Sequence, residues 1–389
     1  MKPTQTTCRV CAGALDVLLQ YDEMPKAAQH LPLKSELDTE RGVDLEVCQC
    51  MSCGLVQLSN EPVPYYKEVI RAAAYSEEMK EFRINQFKEL VEKYSLQNKK
   101  VIEVGCGKGE YLSLMSIAGM DAYGIEYAPE SVKECRKENL QVFEGYLETG
   151  DDKISEESFD GFFILNFFEH LPDPNGALAG IAANLTDDGI GLIEVPNFDM
   201  ILKNNLFSEF INDHLFYFTK ETLISTLSQN GFEVLEANEV WHDYIISIVV
   251  RKRQKAKVEE FYKQQQKLKQ ELHAYINRFE DQKVAIWGAG HQALAIISLT
   301  KLHKSDKIKY VIDDAPFKQG KYTPASHLPI VAANKIYSDP VNAIIVMGAS
   351  YSCEIAAKIR RTFDKSINVA ILRDYGLEYI TPEEKNGKT

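Results

Sequence analysis

From residue 99 onward, short apolar runs alternate with stretches whose apolar residues recur at helical spacing. KKVIEVGCG, DAYGIEY, LQVFEG, FDGFFILNFF and GIGLIEVPN read as strands, with a helix from about Gly109 after the first and another after the second. Strands joined by helices imply a doubly wound α/β sheet. GFEVLEANEV and YIISIVVRK follow with almost no room for a helix between them, which predicts a terminal antiparallel hairpin. Upstream, YYKEVIRAAAYSEEMKEFRINQFKELVEKY has helical periodicity and acidic residues just after Ser76, predicting one or two leading helices. Downstream, Val258, Phe261, Leu268, Leu272, Tyr275, Ile276 and Phe279 form the stripe of a long amphipathic helix in an otherwise polar stretch. After it, KVAIWGAGHQALAIISL, KIKYVIDD, NAIIVMGAS and NVAILRD predict a second, smaller Rossmann-like α/β domain. Its turn Gly288, Ala289, Gly290 resembles a dinucleotide fingerprint, although glycine also serves simply to start a helix tightly after a strand.

A chain of 389 residues exceeds what one core usually serves. The pattern divides it into a small domain at 1–62, a main domain with its leading helices at 63–250, a linker helix at 251–282 and a C-terminal domain at 283–389. With 57 acidic against 44 basic residues the net charge is −13, and no Lys/Arg-rich block stands out, which argues against nucleic acid as a ligand. No apolar stretch approaches the roughly 20 residues of a spanning helix, and MKPTQTTCRVCAG lacks the basic-then-apolar order of a secretory leader. We therefore expect a cytoplasmic protein with no membrane partner.

In a reducing compartment the eight cysteines point to metal ligands or buried thiols rather than disulfides. Four of them form two CxxC pairs, Cys8/Cys11 and Cys50/Cys53, and two such knuckles complete the four-coordinate shell that zinc prefers. Cys48 in CQCMSC is a competing third thiol, but Cys50 preserves the spacing. With no open ligand position the zinc would be structural, a staple for a segment too short to support much core of its own.

VIEVGCGKGEYL places Glu103, Gly105, Cys106, Gly107 and Gly109 where a strand turns into a helix. Glycine lets a ligand approach the backbone, and an acidic group there suits an ammonium better than a phosphate. A second strand ends at Glu126, 21 residues after Gly105, where a carboxylate can accept both ribose hydroxyls; Tyr127 follows it. The pattern resembles motif I of class I S-adenosylmethionine (SAM) dependent methyltransferases; an NAD site is the alternative. Tyr146, after the third strand, is a candidate to cover the adenine, and Asn166 to His170 should line the crevice at the fourth strand's end. Cys106 reads as a small turn residue rather than a nucleophile.

The CxxC pairs, the glycine motif, the segment FINDHLFYF after the fifth strand and VIDDAPFKQGKYTPASHLPI near the end occur in a fixed order. Together they resemble the three-part sugar-nucleotide C-methyltransferases over essentially the whole chain. That resemblance implies zinc-binding, SAM-binding and C-terminal domains enclosing a nucleotide-linked keto sugar, commonly methylated at carbon 3 of a 4-keto-6-deoxy sugar. A base removes the proton beside the ketone, and the enolate takes the methyl group. The family's Tyr-x-Glu-His falls on Ile211, Asn212, Asp213 and His214, so the carboxylate and histidine persist and the tyrosine does not. The resemblance makes His214 the base with Asp213 as the carboxylate that orients it, His170 a second histidine near the sugar, and Tyr75 an approach from the pre-domain segment. His242, Asp243, Tyr244 and Ile245 replace the family's His-Gly-Gly-Ser, and the glycine turn of the last domain, which in the family continues with Ala-Lys-Gly, continues here with His291 and Gln292. Other readings stay open: His214 as a core histidine, methyl transfer to oxygen or nitrogen, or a non-catalytic SAM and zinc module. Stripping zinc is expected to loosen the N-terminal domain without touching the chemistry.

Overall fold

The computed structural model describes residues 5–28, 31–68 and 76–380, in two compact units, Met1–Lys255 and Ala256–Thr389. The first unit runs β1 (Leu15–Met24), β2 (Val43–Cys50), β3 (Val56–Leu58), α1 (Glu77–Tyr94), β4 (Lys100–Val104), α2 (Glu110–Ile117), β5 (Asp121–Glu126), α3 (Pro129–Lys137), β6 (Gln141–Glu144) and β7 (Phe159–Leu165). It continues with α4 (Pro174–Ala183), β8 (Leu185–Pro196), α5 (Phe198–Asn204), β9 (Phe216–Tyr217), α6 (Lys220–Gln229), β10 (Phe232–Val240) and β11 (Ile245–Lys252).

Seven strands form the main sheet in the order β10-β11-β8-β7-β4-β5-β6. Strands β4 to β8 are parallel, whereas β11 is antiparallel to both β8 and β10, the hairpin expected from the sequence. Val101, Ile102, Val104 and Phe162 to Leu165 are buried, as continuous apolar strands covered on both faces must be. Strand order reverses at β4, since the chain proceeds from there to β5 and β6 and then returns to β7 on the other side. Ligands of such sheets bind outside the carboxyl ends at that reversal, here between β4 and β7.

Local chemistry sets the helix ends. Ser76 accepts from the Met79 N–H to start α1, and Ser95 at φ 57° ends it. Asp173 caps α4 ahead of Pro174, and Thr219 and Thr222 cap α6 reciprocally.

A second sheet, β1-β2-β3-β9, is antiparallel. Its last strand comes from FINDHLFYF: Phe216 pairs with Gln57 and Tyr217 with Val56. Nothing in the aromatic run announced a strand of two residues. Cys8, Val10, Cys50 and Leu55 share one hydrophobic core with Ile102, Phe168, Leu215 and Phe216, so residues 5–58 supply three strands of this sheet but have no core of their own.

The second unit comprises α7 (Glu259–Ile276), β12 (Val284–Trp287), α8 (His291–Thr300), β13 (Ile308–Ile312), β14 (Ile330–Val331), α9 (Lys335–Ser338), β15 (Ala343–Val346), α10 (Ser352–Thr362), β16 (Asn368–Arg373) and β17 (Gly376–Ile380). The sheet order is β14-β13-β12-β15-β16-β17, parallel except for the β16/β17 pair. The polar stretch 251–282 thus begins as the tail of β11 and continues as α7, whose Leu272, Tyr275 and Ile276 are core residues of this unit.

Candidate functional site

The loop after β4 needs its glycines. Gly105 and Gly109 have φ 71° and 81°, and a Cβ would meet the Phe167 ring at 2.6 Å at the first and Leu140 at 2.4 Å at the second. Glu126, at the end of β5, accepts from the Gly107 N–H at one carboxylate oxygen and from the Ala128 N–H at the other, both at 2.9 Å. These bonds fix the carboxylate at the mouth of the crevice. Glu103 is fully buried in β4, while Asn166, at φ 51°, follows β7 and donates its N–H to the Glu194 carbonyl at 2.9 Å. Cys106 is the exception among the predicted contacts. Its thiol packs beneath Gly124 in the core around α2, so at most its backbone faces a ligand.

Tyr127 and Tyr146 stand edge to face, 6.3 Å apart, at the far side of this crevice. Lys67 lies over both rings, 5.4 and 4.7 Å from their centroids, and pairs with Glu148 at 2.7 Å. Gly105, Glu126, Tyr127, Tyr146, Phe167 and Lys67 together leave a cavity of only about 10 Å³. Lys67 could not be read in advance, because a cation between tyrosines distant in the chain has no local signature.

On the other side of Phe167, the 3₁₀ turn Phe168–His170 meets FINDHLFYF. Leu215 donates its N–H to the Glu169 carbonyl, and His170 Nδ1–H donates to the Asp213 carbonyl at 2.7 Å. That bond puts the proton on Nδ1 and leaves Nε2 bare, 3.9 Å from the Glu169 carboxylate. The His170 and His214 rings lie 4.7 Å apart at 76°, and the ligating atoms of Glu169, His170 and His214 fall within 4.8 Å of one another. Burial, aided by the His170 ring, pushes the His214 imidazole down to about 3. Burial lowers His170 too, against the opposing pull of its Asp213 hydrogen bond.

Asp213 departs from the expected arrangement. Its carboxylate accepts from the Tyr65 hydroxyl at 2.8 Å and from the Ala28 N–H at 2.9 Å, so those two groups take its oxygens, and the orienting contact its backbone carbonyl makes is to His170. Tyr65, 148 positions away, brings to this segment the hydroxyl that Ile211 lacks. Tyr75 lies outside the described residues. His242 is exposed and Asp243 turns at φ 61°, with its carbonyl accepting from Asn197.

All four paired cysteines converge, with Cys8 and Cys53 sulfurs 3.7 Å apart, Cys11 and Cys50 3.4 Å apart, and the set within 4.8 Å. A tetrahedron of ~2.3 Å metal–sulfur bonds has edges of about 3.8 Å, so the donor set fits zinc. Both knuckles repeat one motif: the Val10 and Ser52 N–H groups donate to the sulfurs of Cys8 and Cys50 at 3.4 Å. Cys48 turns away toward Glu46.

The second unit has its own cavity of about 640 Å³ beyond the carboxyl ends of β12, β13 and β15, where Gly288, His291, Asp313, Lys318 and Lys358 meet. Asp313 accepts from the Ala289 N–H at 2.9 Å and from Lys318 at 2.8 Å, which ties the glycine turn to the end of β13. Among the described residues no helix is long and apolar enough to cross a membrane.

A doubly wound sheet with a terminal antiparallel hairpin, a glycine loop after its first strand and an anchored carboxylate after its second define a class I SAM-dependent methyltransferase, and residues 76–237 match the family model of a methyltransferase domain. Residues 250–371 match a C-methyltransferase C-terminal domain. The chain is 22% identical over 382 residues to the C-methyltransferase NovU of Streptomyces niveus, an alignment covering 90% of each. A ubiquinone biosynthesis O-methyltransferase of Bordetella avium (strain 197N) is 33% identical over 100 residues, which span 24% of this chain and 42% of that protein. Among solved structures, the PH0226 protein of Pyrococcus horikoshii OT3 aligns with a TM-score of 0.38 at 16% identity, covering 46% of this chain and 92% of its own. The enzyme is thus a SAM-dependent methyltransferase similar, over nearly its whole length, to a C-methyltransferase.

Proposed function

We propose that this enzyme methylates a nucleotide-linked keto sugar at the carbon beside its ketone, with His214 as the base. The observation that carries this reading is the pair of imidazoles, His170 and His214, lodged beside the donor crevice and kept neutral by burial. A neutral imidazole accepts a proton. Beside the buried His170 and an aromatic wall the resulting imidazolium of the half-buried His214 is costly unless a negative charge develops next to it, and deprotonation beside a ketone supplies one. His214 is therefore matched to a reaction that makes an anion, and poorly matched to a substrate that stays neutral. His170, held by the Asp213 carbonyl, keeps Nε2 turned to the same space, and Asp213, locked by Tyr65 and Ala28, holds the backbone that carries this contact. SAM, when bound, supplies the electrophilic methyl group; Glu126 would take its ribose and Glu103 its ammonium. The aromatic wall of Phe167, Phe168 and Tyr217 keeps water from the carbanion. Zinc at Cys8, Cys11, Cys50 and Cys53 has no open position and acts as a staple.

The test uses His214→Gln. SAM binding should survive, while wash-in of solvent deuterium beside the ketone and methyl transfer should both fall by about 10²–10⁴-fold. Wild-type turnover without wash-in would instead mark an oxygen or nitrogen methyltransferase and sink the reading. Incubation with SAM and a panel of nucleotide-linked keto and amino sugars, read by mass spectrometry, names the substrate.

A further inference from the structure

Two sulfurs lie under the glycine loop that neither the donor crevice nor the cysteine cluster uses. Cys106 stands between Gly105 and Gly107, and Cys135 is near the end of α3. Both are fully buried. The Cys106 thiol is 3.9 Å from the Gly107 carbonyl oxygen, and the Cys135 thiol is 3.4 Å from the same atom. Two glycines make room for them. A Cβ on Gly124 of β5 would stand 2.4 Å from the Cys106 sulfur, and one on Gly109 would stand 3.2 Å from the Cys135 sulfur. Both of those added carbons would also meet Leu112, at 3.0 and 3.5 Å, so the two sulfurs share one small space against that side chain.

Within it the thiols are hydrogen-bonded to each other, and their roles are unequal. The bond from Cys106 lowers the Cys135 thiol, against burial and the neighbouring carboxylates of Glu110, Glu126 and Glu103. Cys106 is raised by giving that bond and by burial. One sulfur is thus the better nucleophile, and the other holds its proton beside it, which is the relation of a reactive thiol to a resolving partner. A role in packing alone would need neither the hydrogen bond nor the asymmetry.

We propose that Cys106 and Cys135 form a reversible oxidation site, closed to a disulfide by a peroxide, and that closing it weakens the binding of SAM. The Cys135 thiolate attacks one oxygen of hydrogen peroxide, the O–O bond breaks, and the sulfur becomes a sulfenic acid while the departing hydroxide takes a proton to become water. Cys106 then attacks that sulfur and a second water leaves, carrying the Cys106 proton. Two thiols lose two electrons and one peroxide gains them. Drawing the sulfurs from contact to bonding distance pulls the turn around Cys106 toward α3. Gly107 is the residue whose N–H fixes Glu126, so the ribose anchor of the crevice moves with it. The inference rests on SAM as the donor and is independent of the sugar.

The experiment treats the intact protein, its metal in place, with hydrogen peroxide, maps the products by mass spectrometry and measures SAM binding by calorimetry before and after. We expect a linked peptide pair carrying Cys106 and Cys135, with SAM bound about tenfold more weakly, the loss of about one hydrogen bond to a charged group. Dithiothreitol should reverse both. Cys135→Ser keeps a donor for the Gly107 carbonyl, so it should bind SAM like the wild type and lose no affinity on oxidation. Linkage supplies a second measurement. If the disulfide weakens SAM tenfold, saturating SAM must make the disulfide tenfold harder to form, a shift of about 30 mV in its midpoint against a dithiothreitol buffer. No linked peptide, or unchanged SAM affinity once it has formed, overturns the proposal. So does an equal loss in Cys135→Ser, which would place the damage at other cysteines. Should that variant fail to fold, the wild-type peptide and the midpoint shift decide. His214→Gln should oxidise alike, so this proposal and the base assignment fail separately.

Discussion

His214→Gln should make the first unit less sensitive to mild acid. In the unfolded chain this imidazole takes up a proton near its ordinary value of 6.5; in the folded protein burial and His170 hold it at about 3. The sign follows from linkage. Below 6.5 the unfolded state binds a proton that the folded state refuses, so stability present above 6.5 is lost as pH falls, until the folded group titrates near 3. Each pH unit in that window costs about 1.4 kcal/mol, which amounts to about 2 kcal/mol between pH 7 and pH 5. Glutamine does not titrate, and His170 contributes to both proteins, so the difference isolates one residue. Urea unfolding followed by fluorescence in a Trp287→Phe background leaves Trp241, in the first unit, as the sole reporter. The wild type should lose about 2 kcal/mol more than His214→Gln over that pH range. Parallel losses would show that the folded imidazole titrates normally and remove the basis for a neutral base in a dry site.

Lys67→Ala should open the donor crevice: losing the contacts to Tyr127 and Tyr146 and the pair to Glu148 removes about 1 kcal/mol of closure, so SAM should bind about fivefold more tightly in a direct titration. Weaker binding would make Lys67 a wall of the site rather than a cover. A thiol-competent chelator should release one zinc per chain and, because β9 pairs with β3, abolish deuterium wash-in along with the order of the N-terminal sheet. This reverses what the sequence implied, and wash-in that survives zinc removal would restore the simpler picture.

The readable parts of the site were those written at short range. Two CxxC knuckles and a glycine loop are fixed spacings, and the structure gathers the one and shapes the other as local geometry requires. The alternating pattern likewise gave the sheet and its terminal hairpin. What could not be read were pairings over long sequence distances. Asp213 looked like the partner of the adjacent His214, yet its oxygens go to Tyr65 and Ala28, which only the folded chain brings near. The stripe along α7 showed a buried face that holds only from Leu268 onward, since Val258 and Phe261 are exposed, and it could not say that β12 and its neighbours bury it. Arg83 sits mid-helix among charged residues, where the eye expects a solvated face; only Glu194 and Ser247, from distant strands, reveal it as interior.

The pairing of β3 with β9 also bears on how the protein is made. Cys8 to Cys53 emerge early and can close around a metal at once, but β3 meets its outer neighbour only when Tyr217 has been synthesised, 161 residues after its partner Val56. At roughly 5–20 residues per second, that interval is on the order of 10–30 s. Throughout it the nascent chain carries an unpaired edge of Val56, Gln57 and Leu58. A chaperone that shields short apolar edges on the ribosome would therefore raise the yield of this protein, and synonymous codons that slow translation between residues 58 and 216 would lower it.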